Sequence, residues 1–362
     1  MTNNPIKVLF NTPPHNLQGG PSQHLPFLEN ELKAKTPLMT FEYGRKSDNE
    51  NIISKIFGRL KDLVVFQLKI WSFSPDVIHQ NTAFDAKSII RDAPLICLSK
   101  INKIPIMIKV HGSHQESFGK MLWPVSILRS YVVKNADCIA VLSSREKKEF
   151  IEIWPGLTKK IKVVKNIIKP EFFEARREEE KKPKILFVSR VIKKKGVIDL
   201  LEAMPRILKE IPEAKLLVIG SGEDSGYFDA MVNKSELKGA VERLDNMPNT
   251  GIIPFYSGAW CLAFPTHYPE GMPMVVAEAM ATGCPIVTTR TRFSLSYMED
   301  NKNCVYINKG DPDSLSEGII SMLKDRNMRN TICDNNRELA KNFTADKVMN
   351  EYLEVYKWLC QN

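Results

Sequence analysis

The chain has 362 residues, 43% of them apolar and 26% charged, with a net charge of +9. That length predicts two domains, each able to bury a core of its own, and the composition is that of an ordinary globular protein. It excludes a helical membrane span, because no stretch approaches ~18 consecutive apolar residues. It also excludes a disulfide scaffold, because seven cysteines lie far apart with no CxxC pair.

The first apolar stretch, residues 6–10, is broken by Lys7 and too short for a secretory leader. Reduced thiols and a cytoplasmic location are expected. Residues 1–170 carry 25 Lys and Arg against 14 Asp and Glu, whereas residues 171–362 carry 26 against 28. The positive excess is therefore N-terminal, which suits an anionic membrane surface, a phosphorylated substrate or a nucleic acid. No nucleic-acid motif or base-stacking pattern accompanies it, so no nucleic-acid partner is expected.

In chain order, strands are predicted at 6–12, 75–81, 104–112, 137–143 and 160–166. They are continuous apolar runs rather than alternating ones, as in a buried parallel sheet. Between them lie helical patterns such as Leu25, Leu28 and Leu32. This alternation predicts a doubly wound α/β domain. Gly19 and Gly20 fall between the first strand and first helix, either as a phosphate approach or as an ordinary loop. Residues 52–71 mix Ile, Phe, Leu and Trp with Lys55, Arg59, Lys61 and Lys69. Such a stretch can lie on an anionic membrane or pack on a core with a wet cationic face. His111 ends the strand at 104–112, where a lone histidine is more often structural.

Residues 170–184 are dense in charge with proline at both ends, and read as a solvated linker. A second alternation follows, with strands predicted at 184–190, 214–222, 258–266 and 284–290. After the first of these come Arg190, then Lys195 and Gly196 before a helix. Two fixed cations at a strand's carboxyl end suit a diphosphate and the charge that develops as one leaves; the alternative is a solvated lysine run. Gly220 and Gly222 follow the second strand, as a weak phosphate-loop signal or a tight turn.

The richest segment is FPTHYPEGMPMVVAEAMATGCPIVTT, residues 264–289. Pro265, Pro269 and Gly271 shape a loop, Pro273 suits the first helical position, and Gly283 suits the carboxyl cap. The N–H groups of Met274 and Val275 then sit at a helix amino end, a ready phosphate site. Glu270 lies in the loop and Glu278 on the helix, and carboxylates grip vicinal hydroxyls well. A capped surface helix with two solvated glutamates is the plainer reading.

This segment, E-x7-E followed by AMA-x-G-x-P, resembles the signature of the retaining family 4 glycosyltransferases, which have the GT-B fold. The Arg190-x4-Lys195-Gly196 pattern resembles the same family, with Ser189 where the family commonly has Gly. The resemblance implies two Rossmann-like domains facing a cleft: 1–170 on the acceptor side, 171–345 for the nucleotide sugar, and 346–362 as a helix crossing back to the first domain. It implies that Glu270 contacts the donor sugar, Glu278 the ribose, and backbone amides at Gly271, Met272, Met274 and Val275 the phosphates. Gly19, Gly20, Gly220 and Gly222 would line the donor, and His111 would point at the sugar. Where the family often has a second histidine, this chain has Asn81, and VERLDNMPNT (241–250) replaces the family's turn near the base.

The implied reaction is retaining transfer of a hexosyl or N-acetylhexosaminyl unit, UDP-sugar favoured, to a glycan or lipid-linked acceptor in cell-surface polysaccharide synthesis. No metal or other cofactor is expected. Asp311-Pro312-Asp313 spells a metal-binding D-x-D but precedes a helical pattern, where Asp313 reads as a cap or first-turn acid. A sugar-nucleotide epimerase of the same architecture and a non-catalytic donor-binding subunit are the alternatives.

Overall fold

A computed structural model describes residues 5–14, 20–44, 52–112, 123–234 and 237–361. The chain divides into two compact units, Met1–Ile167 with Ala345–Asn362, and Ile168–Thr344.

Unit 1 runs β1 (Val8–Thr12), α1 (Gly20–Lys35), β2 (Leu38–Glu42), α2 (Ile52–Phe73), β3 (Val77–Thr82), α3 (Ala86–Ile101), β4 (Ile106–Val110), α4 (Trp123–Asn135), β5 (Cys138–Val141), α5 (Ser144–Ile153) and β6 (Ile161–Val163). Among the described residues these strands form one parallel sheet in the order β2-β1-β3-β4-β5-β6. Strands β1, β3, β4 and β5 are buried along their whole length, which suits a continuous rather than alternating pattern, although β3 (VIHQNT) buries polar residues from His79 to Thr82. On one face Leu9, Ile78, Ile108 and Ile139 pack with Phe66 and Ile70 of α2 and Ile96 of α3. On the other, Val8, Phe10 and Met107 pack with Leu25, Leu28 and Leu32 of α1, the predicted helical stripe.

Unit 2 continues with α6 (Pro170–Phe173), β7 (Lys184–Val188), α7 (Val197–Glu210), β8 (Lys215–Ile219), α8 (Ser225–Lys234), β9 (Val241–Leu244), α9 (Ile253–Gly258), β10 (Cys261–Phe264), α10 (Met274–Thr282), β11 (Ile286–Thr289), α11 (Arg292–Tyr297), β12 (Val305–Ile307), α12 (Pro312–Lys324) and α13 (Arg326–Ala340). Its strands are again parallel, in the order β12-β11-β10-β7-β8-β9. Counted from β7, this is the 3-2-1-4-5-6 order of a dinucleotide-binding domain. The last helix, α14 (Ala345–Gln361), returns to unit 1. Its Tyr352, Tyr356 and Leu359 join the α1-side core, and Tyr356 Oη lies 2.6 Å from His79 Nδ1. Lys165 pairs with Glu351. Phe343 stays in unit 2, packed on Phe293 and Tyr297.

The charged stretch at 170–184 is not a solvated linker. Phe172 is buried, and Arg177 donates to the carbonyls of Tyr256 and Ser257. Glu178 and Glu180 N–H bond Ser257 and Gly258 carbonyls, and Glu179 pairs with Arg329. Arg177 and Glu179 find partners elsewhere in unit 2, while Glu171, Glu174, Arg176, Lys181 and Lys182 stay exposed, so the segment is anchored at a few points along a hydrated edge.

Candidate active site

In an open parallel sheet, ligands bind beyond the carboxyl ends of the strands, at the point where strand order reverses. In unit 2 that point lies between β7 and β10. The loops leaving those two strands carry Arg190 and Lys195 on one side and Glu270 on the other.

Three local features bring these loops together. After β7, residues 193–195 form one 3-10 turn, and Gly196 follows at φ 78°. A Cβ on Gly196 would come within 3.0 Å of the carbonyl of Pro265, so only glycine lets the β7 loop lie against the β10 loop. His267 N–H donates 2.9 Å to Lys194 O, and His267 Nε2 sits 2.5 Å from Asp199 Oδ2 on α7. The result is that Lys195 Nζ donates 2.6 Å to Glu270 Oε1, which also accepts 3.0 Å from Thr266 Oγ1. The ammonium lies 5.3 Å from the centre of the Tyr268 ring and 5.8 Å from that of Phe264.

Glu270 has φ 33°, in the left-handed region that a non-glycine residue occupies at a cost on the order of 1–3 kcal/mol. Arg292 N–H to Pro269 O at 2.7 Å and Phe293 N–H to Glu270 O at 3.3 Å hold it there. Such strain concentrates at sites that need a side chain aimed in one direction. Arg190 is exposed and has no ion pair among the described residues.

Gly271 and Met272 complete the loop before α10, and both are buried. Pro273 is the N-cap of α10, at ψ 115°, rather than its first helical residue. It supplies no side-chain cap, and its carbonyl takes the first helical bonds, from Val276 and Ala277 N–H. Met274 and Val275 thus occupy the first turn, where backbone N–H groups point along the axis toward an anion. Gly283 caps the other end at φ 75°, as the sequence predicted. Glu278 faces inward instead of lying in solvent: it is buried, and Tyr256 Oη of α9 donates 3.1 Å to its Oε2. Burial, with Glu278 next, pushes the Tyr256 hydroxyl well above its usual pKa, so it remains a donor.

Gly220 and Gly222 have a steric reason to be glycine. A Cβ at either would fall within 3.0 Å of a carbonyl of the β7 loop, Ser189 O or Val191 O. They seat the loop after β8 beside Arg190. The Asp311-Pro312-Asp313 run caps α12: Asp311 accepts from Ser314 N–H, and first-turn Asp313 pairs with Arg206. The cap is therefore Asp311, and Asp313 is the first-turn acid, the second of its two expected roles.

In unit 1, Gly19 lies outside the described residues and Gly20 opens α1. His111 follows β4, its N–H bonded to Thr82 O and its Nε2 2.6 Å from Asn81 Oδ1. Asn81 Nδ2 donates to Asn11 O, which fixes its amide so that Oδ1 accepts from Nε2–H. Burial lowers the His111 pKa well below 6.5, with Lys109, His24 and His79 adding to the fall. A neutral His111 protonated at Nε2 keeps Nδ1 as an acceptor. Sequence reading missed His24, whose ring centre is 6.3 Å from that of His111, and missed Thr266, Tyr268 and Tyr256. Only Thr266 carried a signal, as a hydroxyl at a strand's carboxyl end beside the switch point.

Two parallel-sheet units with the last helix returned to the first make up the GT-B fold. Residues 168–339 match the family described as glycosyl transferases group 1. The chain is 28% identical over 281 residues to an uncharacterized glycosyltransferase of Methanocaldococcus jannaschii, covering 72% of this chain and 71% of that one. It is 29% identical over 175 residues to the capsular polysaccharide biosynthesis glycosyltransferase CapM of Staphylococcus aureus, 46% of this chain and 44% of CapM. Among solved structures it is similar to Anabaena HepE in complex with UDP, at a TM-score of 0.76 and 15% identity, covering 97% of this chain and all of that one (100%).

Proposed function

We propose that the chain transfers a hexosyl or N-acetylhexosaminyl unit from a nucleotide diphosphate sugar, UDP-linked by preference, to a glycan or lipid-linked acceptor with retention. The observation that carries this reading is the Lys195–Glu270 contact at the β7/β10 switch point. Arg190, Lys195 and the amino end of α10 at Met274 and Val275 supply positive potential for a diphosphate. Gly271 and Met272 bring backbone close to the same group. Glu270 accepts from donor-sugar hydroxyls and Glu278 from the ribose, while Gly220 and Gly222 admit the nucleotide backbone beside Arg190. On unit 1, a neutral His111 offers Nδ1 as an acceptor for a sugar hydroxyl.

The bond between the anomeric carbon and the phosphate oxygen breaks toward the diphosphate, whose growing charge the two cations stabilise. The acceptor oxygen bonds to the same face of that carbon, and its proton passes to the departing phosphate oxygen. No residue need act as base, and no metal is required by the balance of charge. UDP in the HepE complex and the capsular role printed for CapM favour a UDP donor and cell-surface polysaccharide synthesis.

The test is incubation with a panel of nucleotide sugars and oligosaccharide or polyprenyl-linked acceptors, with products resolved by mass and anomeric configuration. Glycosylated acceptor of retained configuration is expected. Donor converted without acceptor would indicate an epimerase, and binding without nucleotide release a non-catalytic subunit.

A further inference from the structure

We propose that the outer face of α2 docks on an anionic lipid bilayer. From Phe57 onward, the inward side of this helix is core: Phe66 and Ile70 are buried. Its outward side is also apolar. Phe57, Leu60, Val64, Leu68 and Trp71 are each 53–68% exposed. At 3.6 residues per turn they fall within an arc of about 80° and run about 21 Å along the axis. A soluble surface helix normally turns a polar face to water. Here the polar face is replaced by a stripe of large side chains.

The stripe is part of a larger surface. Of the twelve large apolar side chains exposed among the described residues, ten lie on α2, α3, α4 and α5 of unit 1. Its neighbour α3 contributes Ile90 and Ile101, and α4, which packs on α3, contributes Trp123 and Ile127. These helices share one face of the sheet, sealing a single core. A concentration of this kind marks an interaction surface rather than scattered exposure. Two of its members are tryptophans, which favour the headgroup level of a bilayer.

Charge decides the occupant. Helices α2, α3 and α4 carry nine Lys and Arg against two Asp. Arg59, Arg91 and Lys100 are paired with Asp62, Asp92 and Asp137 and Arg129 is buried, so the excess on this face rests on lysines such as Lys61, Lys69, Lys87 and Lys134. A second copy of this chain would set two such positive faces together, and like charges oppose that contact. An anionic leaflet offers both things the face lacks, an apolar phase for the stripe and negative charge for the cations. No helix among the described residues is long and apolar enough to cross a membrane, so the contact is lateral.

Docking needs neither donor nor turnover, so it can fail while transfer survives, and the reverse. The full chain is floated with vesicles of phosphatidylcholine alone or mixed with phosphatidylglycerol, alongside Leu60→Glu/Leu68→Glu and, separately, Lys61→Glu. The mixed vesicles should carry the wild-type chain at low salt, and the double variant should bind at least about tenfold more weakly at unchanged melting temperature. Lys61→Glu should weaken binding to mixed vesicles alone. Three results would overturn the proposal: no wild-type binding, equal binding by the double variant, or a wild-type dimer that the double variant dissolves.

Discussion

Lys195 Nζ lies 2.6 Å from Glu270 Oε1, joining the loop that leaves β7 to the loop that leaves β10. Both side chains are mostly buried, 14% and 16% exposed. In the proposed reading, the cation assigned to a diphosphate is held, until donor arrives, by the carboxylate assigned to a sugar. Each partner therefore keeps the other in its working position, and neither is left as an uncompensated buried charge.

Loss of either end should be felt mainly in turnover. Removing one preorganised charge contact of this type costs ~10²–10³ in rate. Lys195→Ala and Arg190→Ala should each lower kcat by about that factor, with circular dichroism and melting close to wild type for Arg190→Ala. Near-normal kcat in both would remove the proposed diphosphate site.

Glu278 should behave differently, because its proposed partner is the ribose, away from the breaking bond. Glu278→Gln keeps the Tyr256 contact, since the amide oxygen still accepts. Loss of one charge-assisted hydrogen bond, about 1.5–3 kcal/mol, should raise donor KM roughly ten- to hundredfold with kcat little changed. A fall in kcat at constant KM would assign Glu278 to the reacting end instead.

Gly196→Ala tests whether the apposed loops make the site. The substitution meets both a left-handed backbone and the Pro265 carbonyl. It should cost about 1–3 kcal/mol in urea unfolding and lower kcat with it, because the β7 loop cannot keep its seat. Wild-type stability and kcat together would show that the close approach is dispensable.

Acid should loosen unit 1. Burial, and then Lys109, hold the His79 pKa near 3 instead of 6.5. Between those values the unfolded chain takes a proton that the folded chain refuses. Stability is thus intact above pH 6.5 and falls below it, by up to about 1.4 kcal/mol per pH unit. His111 acts in the same direction. Lys109, pushed down to about 7 from 10.5 by burial, works on the alkaline side, where stability should rise from pH 7 upward. Urea midpoints from pH 4.5 to 7 should show a shallower slope for His79→Phe, and an unaltered slope would contradict this origin.

Most of the strands that sequence made legible lie inside their sheets; β6, predicted at 160–166, is an edge strand that was legible all the same. β2, β9 and β12, which it missed, are all sheet-edge strands. Pairing on one side only leaves them partly exposed and breaks the apolar run, as in LMTFE and VERL. At the site, Arg190, Lys195, Glu270 and the Gly283 cap could be placed because spacing relative to a strand end fixes them. The burial of Glu278 could not, since Tyr256 comes from α9, 22 residues earlier, and only packing joins them. The anchoring of 170–184 to unit 2 was not legible because Phe172, Arg177 and Glu179 meet partners far away in sequence, while the exposed charges around them are as the composition suggests. His24 beside His111 is likewise a product of tertiary packing, with no local pattern to announce it.

The most direct measurement is the melting temperature with and without UDP, for wild type and Lys195→Ala. A ligand that binds only the folded state raises apparent stability by mass action, by about 2.7 kcal/mol at a hundredfold excess over Kd. The wild type should melt higher with UDP, and Lys195→Ala should show a much smaller rise. An equal rise in both proteins, or none in either with any nucleoside diphosphate, would contradict a diphosphate site at the meeting of the β7 and β10 loops.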